Sequence, residues 1–575
     1  MAGFLPTSLE EGKIYYKDRN LQFDVIFISG DPYYDHPLSG TALVARLLDR
    51  KGYKVAVIPQ PEKDNDYKIC SAPRYLFCIT SGLLDSMLAN YTPMLKKRDN
   101  VNVPERAIIK YTSDIKRLFK GCFTVIGGVE ATIRRFTHFD YWDNKLRKGI
   151  LNDSKADILI FGNAERAILD LLAVFKADSK ITSENYRNID GIAFRIKKSE
   201  LPKNIRILPS FEEQVKDKKK FNLANRIHYL LPDDAFIEPC GLGFIQHNRA
   251  SHPLADAEMD YVYSLQFMRK LHPLSKDFNA VSEMLTGFEN SVILGRGCWA
   301  GCHFCIIPLV QGKNTAKRSK ESILREIEML YNSGEKKIND LTMPTVNMYG
   351  SYCALYNVPE TIFSHIIEKE ITVYNKEEYC NQVCVGCKYR MLRDDLVPLL
   401  EGVEELNKKY SSTLEIRSAI RHDIILGQKE LFRKIMQFVS RLKIAPEHIS
   451  DTVLKHMNKA NRKAFEDFLE EYRKINKEQH TNKNLVPYFV VAHPGSTMEE
   501  MKELRKFCED KKIYVNLTQV FTPTPGTIST AMYYSGENPI TKEKVHVPRT
   551  FREKKDQKRI MMGEKVEDEL NDGNG

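Results

Sequence analysis

The chain has 575 residues, of which 42% are hydrophobic, so it is long enough to bury the cores of several ordinary domains. No apolar run reaches the roughly 18 residues of a membrane span, and the acidic start MAGFLPTSLEEGK lacks the pattern of a secretory signal, so we expect a cytoplasmic protein with no membrane partner. The net charge of +10 permits a nucleic-acid partner without indicating one.

Residues 1–180 alternate apolar strands with helical stretches. A strand FDVIFISG, a helix with Leu43, Leu47 and Leu48 at helical spacing, and a strand KVAVIP form a β-α-β unit. The pattern recurs in YLFCITSG, FTVIGG and ADILIFG, each of which ends in glycine. This alternation predicts an α/β fold with a doubly wound, Rossmann-like parallel sheet, whose ligand crevice lies at the carboxyl ends of the strands.

The rest of the chain divides into three parts. Residues 181–285 contain many breakers and are expected to connect two domains. Residues 286–530 resume the alternation in SVILGRG, KINDLTM, LEIRSA, RLKIAP, LVPYFVVAH and YVNLTQVF, which predicts a partial (β/α)6 barrel with its chemistry at the strand carboxyl ends. This barrel carries a cysteine-rich insertion at 350–391. Residues 531–575 form a C-terminal extension, whose charged tail from Arg549 we expect to be disordered.

Three cysteines follow the first barrel strand at the spacing C-x3-C-x2-C. Cys298, Cys302 and Cys305 lie in GRGCWAGCHFC, and the next forty residues contain no histidine or cysteine to complete a tetrahedral zinc site. Three thiolates on a [4Fe-4S] cluster leave one iron open to a small ligand. This donor set therefore predicts an enzyme in which the open iron chelates S-adenosylmethionine (SAM).

The triplet, with Phe304 before its last cysteine, resembles the signature of the radical SAM superfamily. Together with FDVIFISGDPYYDHPLSG, LKIAPEHISDTVLKHMNK and FTPTPGTISTAMYYSG, it resembles the YgiQ-type radical SAM family over about residues 1–550. The resemblance implies a cobalamin-binding-like Rossmann domain, a radical SAM barrel, a [4Fe-4S] cluster on the three cysteines and SAM. Such chemistry needs a low-potential electron donor, and the substrate stays unknown.

Two departures from the family pattern concern SAM. The family's second barrel strand ends in Gly-Gly-Pro and receives the methionine amino group on backbone carbonyls, whereas this chain has Thr342, Met343 and Pro344. Glycine allows close backbone approach, which a methionine side chain obstructs. Ser418 is a further candidate SAM contact, next to Ala419 where the family has glycine.

Polar residues at the ends of the later barrel strands are candidates for acid–base or radical chemistry on the substrate. Their types alone assign no role. They are Arg421, Glu447, His448 and His493.

A second triplet repeats the spacing but not the context of the first. Cys380, Cys384 and Cys387 follow a charged segment, and Cys353 lies upstream in the same insertion. Four thiolates in one insertion predict a closed metal site, either an auxiliary [4Fe-4S] cluster or zinc, with metal-free thiols as the alternative.

The N-terminal domain has weaker candidates. The N-terminal crevice contains a variant of the cobalamin motif Asp-x-His-x-x-Gly, formed by Asp35, His36 and Gly40 at the wrong spacing. We therefore favour His36 as a turn residue that does not bind cobalt, and we do not expect cobalamin. Glu130 and Glu165 follow neighbouring strands and suit the crevice, although helix N-terminal acids explain them more simply.

The sequence thus favours a radical SAM enzyme acting on an unknown substrate. Two alternatives stay open. One is a non-enzymatic iron–sulfur or metal-binding protein that has lost SAM cleavage. The other is an RNA-modifying radical SAM enzyme that uses an auxiliary cluster.

Overall fold

The computed structural model describes residues 3–99, 101–177, 181–276, 278–354, 386–515 and 517–564. The chain divides into two compact units. The first comprises Met1–Glu289, Leu309–Gly312 and Thr524–Gly526, and the second comprises Asn290–Pro308, Lys313–Pro523 and Thr527–Gly575. Among the described residues, no helix combines the length and the apolar character needed to cross a membrane.

One large sheet forms the centre of the first unit. The strands up to residue 289 are β1 (Val25–Ser29), β2 (Tyr34–Asp35), β3 (Val55–Pro59), β4 (Leu76–Thr80), β5 (Thr124–Ile126), β6 (His138–Asp140), β7 (Lys145–Arg147), β8 (Ile158–Ile160), β9 (Ile192–Ile196), β10 (Arg206–Ile207), β11 (Phe236–Cys240), β12 (Gly243–His247) and β13 (Lys270–Leu271). Nine of them share the sheet in the order β10-β11-β12-β9-β8-β5-β4-β1-β3.

The first five strands of this sheet are parallel. β1 pairs with β3 on one side and β4 on the other, and β5 and β8 continue the sheet in the same direction. Every residue of β1 is buried, as expected for a strand covered by helices on both faces. The order confirms the predicted doubly wound sheet and places its topological switch between β1 and β4.

The structure differs from the sequence prediction in residues 181–285. This segment adds β9, β12, β11 and β10 to the edge of the same sheet, with β9 antiparallel to β8 and β12 antiparallel to β9 and β11. These strands are short and interrupted by Gly and Pro, so their alternation is weak in the sequence. Residues 181–285 therefore extend the first unit instead of only connecting two domains.

Helices cover this sheet. The helices up to residue 289 are α1 (Leu9–Tyr15), α2 (Gly40–Arg50), α3 (Asp64–Lys68), α4 (Ser86–Asn90), α5 (Ala107–Leu118), α6 (Gly128–Ile133), α7 (Ile150–Ser154), α8 (Glu165–Ala177), α9 (Ser183–Tyr186), α10 (Phe211–Lys216), α11 (Lys218–Leu230), α12 (Asp256–Tyr263) and α13 (Phe278–Leu285). In α2 the Ser39 side chain caps the first turn by accepting from the Ala42 N–H, and the predicted Leu43, Leu47 and Leu48 are buried.

The second unit is a partial parallel barrel. Its strands are β14 (Ser291–Ile293), β15 (Gly295–Arg296), β16 (Ala316–Lys317), β17 (Lys337–Ile338), β18 (Asp340–Thr342), β19 (Tyr352–Cys353), β20 (Arg390–Met391), β21 (Thr413–Leu414), β22 (Arg441–Glu447), β23 (Asn484–Val491) and β24 (Leu517–Val520). β14 is parallel to β18, β17 to β21, and β22, β23 and β24 are parallel neighbours. A parallel bridge between Ile420 and Ile444 continues the series, in agreement with the predicted barrel.

Helices also surround the second series of strands. The helices after residue 289 are α14 (Ile307–Val310), α15 (Lys320–Asn332), α16 (Leu396–Tyr410), α17 (His422–Ile425), α18 (Lys429–Phe438), α19 (Asp451–Met457), α20 (Arg462–Glu478), α21 (Met498–Asp510), α22 (Ile528–Ser535) and α23 (Phe551–Met562). Helix α23 differs from the disorder expected after Arg549. Thr550 caps it by accepting from the Glu553 N–H, and Met561 is fully buried in the core of the second unit.

A buried carboxyl in the first unit provides a pH test of this fold. Glu238 on β11 is 1% exposed, and its Oε1 accepts from the Thr137 N–H at 2.9 Å. Burial raises the pKa of Glu238 to about 7, despite the hydrogen bonds it accepts. A carboxyl with a raised folded-state pKa stabilises the fold below its unfolded pKa and loses that contribution as the pH rises through 7.

We therefore expect Glu238→Gln to be more stable than the wild type at about pH 8, by about 3 kcal/mol, and to gain little at about pH 4. Melting temperatures of both proteins at the two pH values measure the effect. Glu10→Gln, at an exposed position, is the matched control and gains nothing at either pH. An equal difference at both pH values for Glu238→Gln contradicts the burial argument.

Candidate metal and cofactor site

The first cysteine triplet lies in the loop that follows β14 and β15. Cys298 is buried, and Cys302 and Cys305 are half-buried. The N–H of Cys305 donates to the Cys302 carbonyl at 3.1 Å, so a tight turn joins the last two cysteines. The structure thus places the triplet at the carboxyl end of the first barrel strand, where sites on this type of fold are built.

Neighbouring elements hold the backbone of this loop. The N–H of His303 donates to the Met457 carbonyl at 2.9 Å, and the Asn458 Nδ2 donates to the Gly301 carbonyl at 2.9 Å. Gly297 has a φ of 82°, and a Cβ there would lie 2.1 Å from the Asn314 carbonyl oxygen, so only glycine fits. These contacts fix the path of the loop before any metal binds.

The thiols of the triplet interact with one another and are held away from water. Burial raises the pKa of Cys298 and of Cys305, and the neighbouring Cys302 raises both further. Without a metal, Cys298 and Cys305 therefore favour the protonated thiol form. A cationic iron centre that binds the thiolates removes this penalty.

One arginine donates to a cysteine of the triplet. The Arg421 Nη1 lies 3.3 Å from the Cys302 Sγ, while its Nε and Nη2 donate to the two carboxylate oxygens of Asp423 at 2.9 and 3.0 Å. Burial alone raises the pKa of Asp423, but the Arg421 charge holds it well below its usual range. Asn347 fixes the backbone, because its Oδ1 accepts from the Arg421 N–H at 2.9 Å. The guanidinium is therefore oriented by fixed partners.

The donor set fits a cluster better than a single ion. In the described ranges, no three His, Cys, Asp or Glu side chains converge as ligands of one metal ion. Thiolates on one zinc ion lie within about 4.6 Å of one another, because each Zn–S bond is about 2.3 Å. In a [4Fe-4S] cluster each thiolate binds a different iron, so the sulfurs lie farther apart. Three soft thiols on one loop match the ligand set of a cluster that keeps one iron open.

The predicted SAM contacts at the end of β18 are packed into the barrel. Met343 is buried, and its Cε lies 3.3 Å from the position that a Cβ on Gly295 would take. The Thr342 carbonyl accepts from the Leu294 N–H at 2.9 Å, and Pro344 is half-buried. The Met343 side chain therefore points toward the strand that enters the cysteine loop.

Ser418 is engaged by an aspartate that the sequence analysis did not identify. Its Oγ donates to the Asp340 Oδ2 at 2.7 Å, and the N–H groups of Arg417 and Ser418 donate to the Asp340 Oδ1 at 2.7 and 2.9 Å. Asp340 thus ties β18 to the segment before Ile420. The Ser418 hydroxyl keeps acceptor capacity for a ligand, but its proton is committed to Asp340.

Two barrel strands end in the same unusual way. Glu447 at the end of β22 and Ala492 after β23 have φ values of 69° and 59°, and each immediately precedes a buried histidine. Left-handed backbone in residues other than glycine is strained and concentrates at functional sites. The turns place His448 and His493 at neighbouring strand ends.

These two histidines differ in their ring partners. The His493 Nδ1 lies 2.7 Å from the Pro494 carbonyl and its Nε2 2.6 Å from the Ser529 Oγ, so both nitrogens are used. The His448 Nδ1 accepts from the Ser450 N–H at 3.0 Å, which leaves the proton of the neutral ring on a buried Nε2 without a partner. Burial lowers the pKa of both rings to about 3. His448 is thus the candidate with an uncommitted donor.

The other predicted barrel residues lie beside these histidines. The Phe304 ring contacts His493 edge to face, with centroids 6.1 Å apart. Glu447 is buried, which raises its pKa, and the charges of Lys459 and Arg421 oppose that shift. Lys459 was not singled out in the sequence, and its Nζ donates to the Ala445 carbonyl at 2.6 Å.

The second triplet is described only in part. Cys380 and Cys384 lie outside the described residues. Cys353 pairs with Arg390 across the β19–β20 ladder, and the Arg390 N–H donates to the Cys387 carbonyl at 3.2 Å. This ladder therefore brings Cys353 and Cys387 to the same region, and a second metal site stays a prediction.

His36 in the first unit has both ring nitrogens occupied. Its Nε2 lies 3.0 Å from the Glu289 carbonyl, and its Nδ1 accepts from the Leu38 N–H at 3.1 Å. The adjacent Asp35 is paired with Arg46. His36 therefore offers no free nitrogen to a cobalt ion.

Glu130 and Glu165 lie in the first turns of α6 and α8, the positions of helix N-terminal acids. The Glu130 oxygens accept from the N–H groups of Ser86 and Ile108 at 2.8 and 3.4 Å. The cavity beside Glu130 has a volume of about 10 Å³, which holds one water at most. Glu130 thus has structural partners and no room for a ligand beside it.

Family models match nearly the whole chain. "Radical SAM N-terminal" matches residues 4–285, "Radical SAM superfamily" matches residues 292–508, and a domain of unknown function, DUF3362, matches residues 516–564. Among solved structures, the radical S-adenosylmethionine methyltransferase TsrM from Kitasatospora setae, with cobalamin and a [4Fe-4S] cluster bound, aligns with a TM-score of 0.50 and 12% identity over 88% of this chain and 77% of that chain. At this identity the likeness shows the fold alone.

Curated relatives align over most of the chain. A UPF0313 protein of Methanocaldococcus jannaschii is 36% identical over 588 residues, covering 97% of this chain and 92% of the relative. A UPF0313 protein of Clostridium botulinum is 35% identical over 584 residues, covering 97% and 86%. The chain therefore belongs to the UPF0313 family, the YgiQ-type family of radical SAM enzymes.

Proposed function

We propose that Cys298, Cys302 and Cys305 hold a [4Fe-4S] cluster with which the protein cleaves SAM reductively to act on an as yet unidentified substrate. The observation that carries the proposal is the loop itself: three cysteines at the carboxyl end of the first barrel strand, on a backbone held by hydrogen bonds from neighbouring elements. A low-potential electron donor is the partner that this chemistry requires, and a cytoplasmic location stays a prediction.

The cluster, when bound with SAM at its open iron, supplies the reductive cleavage of a carbon–sulfur bond that yields an adenosyl radical. The residues of the chain hold and shield this centre. The cysteines bind iron, and the Arg421 guanidinium donates to Cys302 and so stabilises negative charge on its sulfur. His448 presents a buried N–H without a protein acceptor, which suits an acceptor atom on a bound ligand.

The alternatives from the sequence have less support. Membership in a family whose matched domain is the radical SAM domain argues against a protein that only binds metal. No contact in the described part of the chain favours RNA as the substrate. An auxiliary cluster or zinc at Cys353 and Cys387 stays a hypothesis about the insertion.

Cobalamin also stays a hypothesis. The solved TsrM structure contains cobalamin, but that likeness shows the fold alone. In this chain both ring nitrogens of His36 have partners, so a corrinoid in the first unit would bind without this histidine as a cobalt ligand.

The first test is SAM cleavage. Protein reconstituted anaerobically with iron and sulfide and then reduced should release 5′-deoxyadenosine from SAM, and Cys298→Ala should reduce release to background, because two thiolates do not hold the cluster. Product release is measured by chromatography. Cys508→Ala, at another buried cysteine, is the matched control and should keep wild-type activity. Equal release of 5′-deoxyadenosine by Cys298→Ala and the wild type would contradict the proposal.

The second test concerns Arg421. Arg421→Met removes the donor to Cys302 and leaves Asp423 with a second arginine, because the Arg390 Nη1 lies 3.6 Å from the Asp423 Oδ2. The midpoint potential of the cluster should fall by about 60 mV, the shift equivalent to a tenfold change in a one-electron equilibrium, because the reduced cluster loses a stabilising positive charge.

An EPR-monitored redox titration measures this potential. Arg417→Met is the control, because Arg417 pairs with Glu415 and does not contact a cysteine, so its potential should stay at the wild-type value. An unchanged potential in the Arg421 variant, at full iron content, would show that the contact with Cys302 has no electronic effect.

The third test concerns Met343. If its side chain limits backbone approach, Met343→Gly should bind SAM severalfold more tightly, although loss of a buried methionine costs about 2–5 kcal/mol of stability. Equilibrium dialysis with labelled SAM measures the affinity. Met436→Ala, another fully buried methionine, should lose stability without a change in affinity. Unaltered SAM affinity in Met343→Gly would show that the Met343 side chain does not obstruct SAM binding.

A further inference from the structure

Two consecutive arginines in the first unit have opposite environments. Arg134 forms ion pairs with Asp85 at 2.5 Å and with Asp140 at 2.8 Å. Arg135 is only 9% exposed, yet its side chain forms no hydrogen bond and no ion pair with the other described residues, and its guanidinium lies over two aromatic rings. The charge of Asp233 acts on it only from beyond ion-pair distance. A buried guanidinium without hydrogen-bond acceptors is costly and calls for an explanation.

The aromatic contacts account for only part of this burial. The Arg135 Cζ lies 4.1 Å from the centre of the Phe161 ring and 4.7 Å from that of the Phe136 ring. The faces of aromatic rings attract a guanidinium, but they accept no hydrogen bond from the N–H groups that point outward in the plane of the guanidinium. Aromatic rings therefore cover the flat faces of the Arg135 guanidinium. The N–H groups at its edges, which match the geometry of an oxyanion, have no acceptor among the described residues.

The guanidinium edges can be reached from outside. Each side-chain nitrogen of Arg135 retains some solvent-accessible surface, because none of them is both fully enclosed and without a hydrogen-bond partner. Burial lowers the pKa of Arg135 to about 10, which leaves the group positively charged at neutral pH. A small anion can thus reach a positive charge that forms no ion pair within the described part of the chain.

A histidine adds a second donor to the same place. The His247 ring lies on Phe136, with centroids 4.1 Å apart, and neither of its nitrogens has a partner. Whichever nitrogen carries the proton of the neutral ring, that buried N–H has no acceptor. His228 stacks on Phe136 as well, at 5.0 Å, and its Nδ1 is also unpartnered.

The location agrees with a ligand role. Phe161 immediately follows β8, so the guanidinium lies at the carboxyl end of a parallel strand, where ligands bind in doubly wound sheets. His247 ends β12, and His228 lies on α11, both in the segment 181–285 that extends the sheet. The extension therefore places two histidines beside the original strands.

We propose that Arg135, together with His247 and the flanking rings of Phe136 and Phe161, binds the oxyanion group of a small ligand, either a carboxylate or a phosphate. The planar fork of the guanidinium accommodates both groups. The anion supplies the missing hydrogen-bond acceptors and a counter-charge closer than that of Asp233. This site uses none of the cysteines and does not depend on the radical chemistry.

Thermal unfolding of the full-length protein at constant ionic strength, with increasing sodium phosphate or sodium acetate against a sodium chloride baseline, tests the proposal. The melting temperature should rise saturably with at least one of the two anions in the millimolar range. A response to phosphate alone assigns a phosphate group, and a response to acetate alone assigns a carboxylate. No saturable response to either anion overturns the proposal.

Variants separate the site from general anion effects. Arg135→Met should abolish the response, and Arg135→Lys and His247→Phe should each weaken the apparent affinity at least about tenfold. Arg74→Met is the matched control, because Arg74 also lies over the ring of its neighbour, Tyr75, but at an exposed position, and it should keep the wild-type response. A full response in well-folded Arg135→Met, shown by an unchanged circular dichroism spectrum, also overturns the proposal.

Discussion

The candidate site in the second unit depends on holding three cysteine sulfurs on one loop. Burial raises the pKa of Cys298 and Cys305, so binding to a cationic metal centre would favour their thiolate forms. The other residues of the site hold this loop in place. Backbone contacts from Met457 and Asn458 hold the loop, and an oriented arginine lies against one sulfur.

The strand ends around this loop show how the barrel positions polar groups. Asp340 ties two strands together through the backbone at Arg417 and Ser418. Strained backbone at Glu447 and Ala492 turns the chain so that a buried histidine follows each strand. Strain of this kind persists only where the surrounding packing determines it, and here it accompanies side chains that face the candidate site.

Local patterns in the sequence were sufficient for the main architecture, and the role of the three cysteines as metal ligands stays a prediction. Apolar strands that alternate with helices predicted both parallel sheets, and the cysteine spacing identified the loop. The contact of Arg421 with Cys302 joins residues 119 positions apart, and no local pattern encodes it. Short strands in 181–285 and the charged helix Phe551–Met562 were missed because their packing partners are distant in sequence.

The central claim is that three thiolates leave one iron of a [4Fe-4S] cluster open to SAM. The most direct measurement is the EPR spectrum of the reduced, reconstituted protein with and without SAM. Our account predicts the signal of a reduced [4Fe-4S] cluster whose g values change when SAM is added, because SAM binds the open iron. A cluster spectrum that SAM leaves unchanged at saturating concentration would contradict the account.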